Sequence, residues 1–333
     1  MQHRSALPRL LIATASAAAA LLAAAAAQAQ VDPNRFIDTF ERVGGKFDGF
    51  RRSGAKGVCA MGSFVGSAEG RALSTASAFS GQPVPVVVRF SVGGGNPKAS
   101  DKGKSVRGLA LQFTAPGESW QMANISAPVF FVNSPENFVK FLEARRPDPA
   151  TGRPDPAKVK GFNDSHPDSK PQIEWLAKAP VPASYATVSY WGTNAFEFTT
   201  PAKKKFFGKW EFEPARGTQG LSDDQLKQLP DDFLADELRK RAASSNIAFD
   251  FKVQLAEPGD VVNDATIPLP ASRKVITAGR LVIDKVEAGT GGACDAIAFN
   301  PLVLPKGIGP SADPTLTARP AAYGISLGRR LSK

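Results

Sequence analysis

The sequence predicts an α+β protein built on an antiparallel β-barrel with appended helices. Three observations predict it. Short strand-like runs recur along the chain, with helical patterns only at intervals. Val84 to Ser91 is a continuous run rich in β-branched residues, as in a strand buried on both faces. Ile247 to Ala256 alternates, placing Ile247, Phe249, Phe251, Val253 and Leu255 on one face. No repeat and no boundary linker interrupts the pattern, so a single domain is expected over residues 30–333.

The chain opens with His3, Arg4 and Arg9, then a Leu/Ala run from Leu10 to Ala27, then Ala27-Gln28-Ala29. A basic n-region, an apolar h-region and an A-x-A site predict a signal peptide over residues 1–29, cut before Gln30. An uncleaved anchor is the alternative, but the run is mostly alanine and ends in a cleavage site. The mature protein is expected to be periplasmic, without stable membrane insertion.

Residues 31–44 read as a short amphipathic helix, with Phe36, Ile37 and Phe40 at helical spacing and Gly44-Gly45 after it. Strands are expected at Gly57 to Phe64, Val84 to Ser91, Arg107 to Phe113 and Ala127 to Val132, with a turn near Ser67 to Gly70. The glycine run at Gly93 to Gly95 lacks a following lysine-serine pair and is no phosphate loop. A helix is expected over Asn137 to Arg145, then a surface excursion over 146–172. Ser184 to Thr200 reads as strand-rich, with a turn at Trp191 to Asn194. Lys209 to Pro214 reads as a strand and Asp223 to Ala242 as a helix. Ala278 to Val286 and Ala296 to Leu304 close the strand set.

The net charge of +10 falls to +8 when Arg4 and Arg9 leave with the signal. Lysine and arginine are scattered, apart from Lys203 to Lys205, and an export signal argues against nucleic acid as a partner. The two cysteines, Cys59 and Cys294, are compatible with a disulfide or with two buried thiols. Outside the signal the one histidine is His166, which excludes multi-histidine metal sites. Its polar surroundings, Asp164 to Asp168, predict a turn.

The C-terminal stretch carries the chemistry. Asp313-Pro314 is a helix start, with an acceptor at the N-cap and proline at the first helical position. Offsets of four, seven and eleven return to one helix face, so Arg319, Tyr323, Leu327 and Arg330 line up. Two guanidinium groups beside a phenol favour the phenolate, a hard anionic ligand for ferric iron.

Several motifs now converge: Ala55-Lys56-Gly57, Val87-Val88-Arg89-Phe90-Ser91, Arg107-Gly108-Leu109-Ala110 and Pro128-Val129-Phe130-Phe131. To them are added Trp191-Gly192-Thr193-Asn194-Ala195-Phe196, Gln254 to Asp260, and Arg319-x-x-x-Tyr323. Together they make the chain resemble the catalase superfamily, and in detail the small catalase-related peroxidases, over about residues 33–331. The resemblance implies a catalase-type barrel without the long C-terminal helical domain, and haem as cofactor. It implies Tyr323 as the axial iron ligand, Arg319 as the group that keeps it ionised, and Arg51, Arg89 and Arg330 as partners of the haem propionates. Phe130 or Phe131 could pack on the porphyrin edge.

The chain also departs from the pattern. Where the family has His-Ala-Lys-Gly, it reads Gly54-Ala55-Lys56-Gly57, so glycine takes the distal-histidine position. The distal asparagine slot, three residues before Pro128, holds Ile125, and Asn124 lies one residue earlier. Asn124 can serve only if a bulge turns it back, because a one-residue slip reverses the face. The resemblance implies a haem peroxidase acting on hydrogen peroxide or organic peroxides, impaired by loss of the distal histidine, with water or Lys56 as a substitute base. The alternatives are a non-catalytic haem-binding or peroxide-sensing protein, and a catalyst of lipid-hydroperoxide rearrangement. The expected partners are a small peroxide and an electron donor, in a monomer or dimer.

Overall fold

A computed structural model describes residues 31–289 and 292–332; the expected signal peptide lies outside them. Eight strands close an antiparallel barrel: β1 Gly57–Gly66, β2 Val84–Val92, β3 Arg107–Ala115, β4 Glu118–Ile125, β5 Tyr190–Thr199, β6 Lys205–Pro214, β7 Ile247–Leu255 and β8 Val275–Val286. The order is β4-β3-β2-β1-β8-β7-β6-β5, and Ile125 pairing with Trp191 joins the two edges. Closure removes the open edges through which a sheet would pair with other chains. A short strand, β9 (Ile308–Pro310), adds to β5.

The alternation read from the sequence fills the barrel. Phe249, Phe251 and Val253 point inward and are fully buried, beside Val86, Val88 and Phe90 of β2. Aromatic rings dominate: Phe64 meets Phe113 edge to face at 5.3 Å, and Trp120 meets Trp210 at 5.8 Å. Each such side chain stabilises by about 1.5–3 kcal/mol on full burial.

Helices lie outside the barrel. Helix α1 (Pro33–Gly44) buries Phe36 and Ile37, and α2 is Ala68–Leu73. Helix α3 (Pro135–Ala144) starts at an N-cap, Ser134, with proline at its first turn. The excursion over 146–172 is not all loop, since α4 (Pro156–Ser165) and the start of α5 (Lys170–Lys178) lie in it, each with a proline in its first turn. The single helix expected over Asp223 to Ala242 is two, α6 (Asp223–Gln228) and α7 (Phe233–Ser244), because Pro230 cannot continue a helix. The C-terminal region is likewise two helices, α8 (Pro314–Thr317) and α9 (Arg319–Leu331).

Further expectations change. Ser67 caps α2 rather than forming a turn. Ala127 to Val132 and Ala296 to Leu304 are not strands. Their apolar residues are buried by packing outside the sheet; Phe299, for example, packs with Cys59 and Cys294. Trp191 to Asn194 is not a turn but part of β5, where the register with β6 shifts between Gly192 and Phe196.

Candidate functional site

Register sorts the residues of β1 to β4 onto two faces. Gly57 pairs with Ser91, Ser91 with Gly108, and Gly108 with Ile125, so these four share the outer face. Val58, Phe90, Leu109 and Asn124 form the neighbouring row and face the barrel interior. Asn124 is 3% exposed; its amide donates to the Leu109 carbonyl at 2.9 Å and accepts from Trp210 Nε1 at 2.7 Å. No bulge turns it back. The asparagine offered as a catalytic residue is a barrel-core residue, and Ile125 occupies the face on which Gly54 and Ser91 meet.

Gly54 lies in the left-handed region at φ +61°, and a Cβ there would stand 3.0 Å from Ser91 Oγ and 3.6 Å from Arg89 Nη1. The slot therefore opens toward Ser91 and Arg89. Lys56, offered as a substitute base, is fully engaged. Its ammonium is 2.9 Å from Asp101 Oδ1 and donates to the carbonyls of Ala99 at 2.9 Å and Asp231 at 3.0 Å. Held by one ion pair and two donated bonds, this ammonium has no lone pair with which to take a proton.

Arg51, Arg89 and Arg330 come together along one cleft of about 670 Å³, which Lys56, Tyr185 and Asp295 also line. That size suits a small organic ligand. Arg51 Nη2 donates to the carbonyls of Cys294 at 2.8 Å and Ile297 at 2.9 Å. Arg330 Nη2 donates to the Asp295 carbonyl at 2.6 Å, and its buried Nε has no hydrogen-bond partner. Arg89 Nη2 donates to the Ala55 carbonyl at 3.2 Å. Among the described residues none of the three forms an ion pair with a carboxylate within 4.0 Å. Burial, and then repulsion from Arg89 and Arg330, pushes the Arg51 guanidinium down to about 9. Burial pushes Arg89 down to about 10 and lowers Arg330. Three crowded cations with no direct carboxylate partner, on which Asp295 acts only from beyond ion-pair distance, make a place for an anion with more than one carboxylate.

Gly57 makes room for this arrangement, because a Cβ there would stand 2.8 Å from both Cζ and Nη2 of Arg89. Sequence reading quoted Gly57 in a motif but gave it no task.

On α9 the expected face is present. Arg319 Nε donates to Tyr323 Oη at 3.1 Å, its Nη2 makes a second short bond to the same oxygen, and Arg330 returns toward the cleft. Tyr323 is half-buried and does not line the cleft, although it interacts electrostatically with Arg51. Arg319 is held from behind. Asn194 Oδ1 accepts from its Nη1 at 3.4 Å, while Asn194 Nδ2 donates to Asp313 Oδ2 at 2.9 Å and Thr315 Oγ1 at 3.1 Å. The β5 irregularity that hid Asn194 as a turn residue is where it leaves the strand pairing. Asp313 was read as a helix cap; it is that, through Oδ1 to the Thr315 amide at 2.8 Å, and an anchor of Asn194 as well.

The other candidates are structural. Phe130 and Phe131 pack on each other at 4.3 Å, and Phe131 stacks near Phe141 of α3 at 4.2 Å. His166 stacks on Phe162 at 4.0 Å at the end of α4 and does not line the cleft. Cys59 and Cys294 are joined as a disulfide with Cα atoms 5.5 Å apart.

Comparison with known proteins shows the family to which the fold belongs. The model of the Catalase family matches residues 44–333. The chain is 41% identical over 305 residues to a catalase-related peroxidase of Synechococcus elongatus, covering 91% of this chain and 90% of that protein. It is 32% identical over 300 residues to a catalase-related peroxidase of Mycolicibacterium paratuberculosis, covering 90% and 94%. Among solved structures, a bacterial catalase superposes with a TM-score of 0.78 at 22% identity, over 85% of this chain and 57% of that one. A fungal catalase gives 0.79 at 21% identity, over 85% and 59%. At these identities the structural likeness speaks for the fold.

Proposed function

The chain belongs to the catalase family, and we infer that it is a haem-dependent peroxidase of the catalase-related type, reducing hydrogen peroxide or organic hydroperoxides. The observation that carries the cofactor is the cleft in which three guanidinium groups converge, none of them ion-paired within 4.0 Å although Asp295 lines the same cleft. An iron porphyrin with two propionates supplies direct carboxylate partners, and the buried, unpartnered Arg330 Nε offers a further donor. The residues present therefore fit the group. Arg51, Arg89 and Arg330 would bind its carboxylates. Tyr323 would ligate its iron through the phenol oxygen, to which Arg319 donates twice. When bound, haem supplies a redox-active iron at which a peroxide O–O bond can be cleaved.

The chain's own residues set how well that chemistry runs. Gly54 provides no side chain to move a proton between the peroxide oxygens, Asn124 faces away, and Lys56 is committed to Asp101. General acid–base help contributes about 10²–10⁴-fold, so slow turnover is expected. A second reading, a non-catalytic haem-binding or peroxide-sensing protein, is favoured by the same glycine. Peroxide-dependent dye oxidation by the haem-loaded protein separates the two. Turnover saturating in peroxide and exceeding that of free haem supports the peroxidase; retained haem with no such turnover supports the second reading.

We further propose that the mature protein is periplasmic; the signal pattern over residues 1–29 and a disulfide of the kind that persists in oxidising compartments support this reading. No helix among the described residues is long and apolar enough to cross a membrane. Intact mass of exported protein tests this: loss of residues 1–29 is expected, and a full-length product contradicts it.

A further inference from the structure

The segment between β8 and β9 supplies acceptors for two of the three cleft arginines from consecutive turns of one short stretch. The Cys294 carbonyl receives Arg51, the Asp295 carbonyl receives Arg330, and the Ile297 carbonyl receives Arg51 at 2.9 Å and Arg330 at 3.4 Å. Neutral carbonyls orient these cations without cancelling their charge, which leaves the outward N–H groups free for an anion. The stretch has no strand pairing of its own. The bond from Cys294 to Cys59 fixes its first turn against the barrel, with both cysteines at most 1% exposed and Phe299 packed beside them, while farther on the Asn300 amide donates to Gln121 Oε1 and the Gln121 amide to the Val303 carbonyl. Cys59 lies on β1 directly opposite Arg89 of β2. One covalent link therefore sets the acceptors of Arg51 and Arg330 in register with the strand that carries the third arginine. Arg51 also lies 5.3 Å over the Phe299 ring, so it follows this segment through three contacts, two to carbonyls and one to the ring.

We propose that the Cys59–Cys294 disulfide is the positioning element that presents Arg51 and Arg330 to the two carboxylates of the bound cofactor. The proposal rests on the haem reading above. Without the link, the two cations lose their common anchor, and carboxylate recognition falls while contacts to the porphyrin ring persist.

The test uses the whole mature chain and two disulfide-free variants. These are Cys59→Ser with Cys294→Ser, and Cys59→Val with Cys294→Ala, the second keeping the buried space apolar so that misfolding of the first does not decide the result. Release of ferric haem to a haem scavenger is compared with release of its dimethyl ester, which lacks both carboxylates. Haem release should accelerate roughly ten- to a hundred-fold, the range for losing charge-assisted bonds, while ester release changes less than about two-fold. Equal acceleration of both ligands, or of neither, overturns the proposal. In an Arg51→Met, Arg330→Met background, removing the disulfide should add nothing, and a full additional loss overturns it too. A wild-type protein that holds no haem removes the underlying reading instead. The clamp is then judged by guanidinium NMR: Arg51 and Arg330 signals should shift and broaden in the disulfide-free variants, and unchanged signals contradict it.

Discussion

Asn124 and Ile125 are one residue apart and sit on opposite sides of a sheet. That parity decides which of them can serve the cleft. Asn124→Leu should cost about 1–3 kcal/mol of stability, because it leaves buried Trp210 Nε1 unpaired. It should leave haem affinity unchanged; urea unfolding and a haem titration of the same variant check both halves. Gly54 is governed by backbone as much as by its missing side chain. At φ +61°, any L-residue there carries about 1–2 kcal/mol of strain, so Gly54→Ala should lower the urea midpoint by a corresponding amount. Restoring histidine meets the same obstacle and is not a clean gain of function. Lys209 gives a pH-dependent prediction. Burial pushes its ammonium down to about 8, although Asp313 and Asp264 pull it up. Between about pH 8 and the ordinary 10.5, the unfolded chain holds a proton that the folded chain has released, so stability rises with pH across that window. Relative to Lys209→Met, the wild type should gain roughly 3 kcal/mol between those limits, measured by urea unfolding at each pH; a flat difference contradicts the assignment.

At the scale of elements, what was legible in the sequence was what local periodicity controls. The α9 face appeared because Arg319, Tyr323 and Arg330 obey the helical period, and β7 appeared because its alternation is regular. Misreadings arose where tertiary context overrides period. Asn194 looks like a turn residue because a β5 irregularity breaks the alternation, yet there it holds Arg319. Ala296 to Leu304 looks like a strand because Ile297 and Phe299 are apolar, but they pack on the disulfide instead of pairing. Whether the cysteines were joined could not be read from two positions 235 residues apart. Closing so long a loop should stabilise by about 5 kcal/mol on the chain-entropy model. Thermal unfolding of Cys59→Ser with Cys294→Ser should therefore fall well below wild type; an unchanged midpoint would mean that the link does not constrain the unfolded chain.

The whole molecule divides its labour between a rigid barrel and the segments laid on its outer face. The aromatic interior fixes β1 and β2, and these carry Gly57, Cys59, Arg89 and Ser91 outward. Helix α9 and the stretch around Cys294 then bring Arg330, its partner carbonyls and Tyr323 to the same side. The barrel was foreseeable from strand pattern, and the arginine cluster only through resemblance, since Arg51, Arg89 and Arg330 are scattered along the chain and no period links them. The function proposed above requires this outer face to hold an iron porphyrin through Tyr323. An absorption titration of the purified protein with ferric haem, wild type beside Tyr323→Phe, tests it directly. Saturable binding of one haem per chain is expected, with an altered ferric spectrum and weaker retention in the variant. Absence of saturable binding, or a spectrum the same in both proteins, would contradict it.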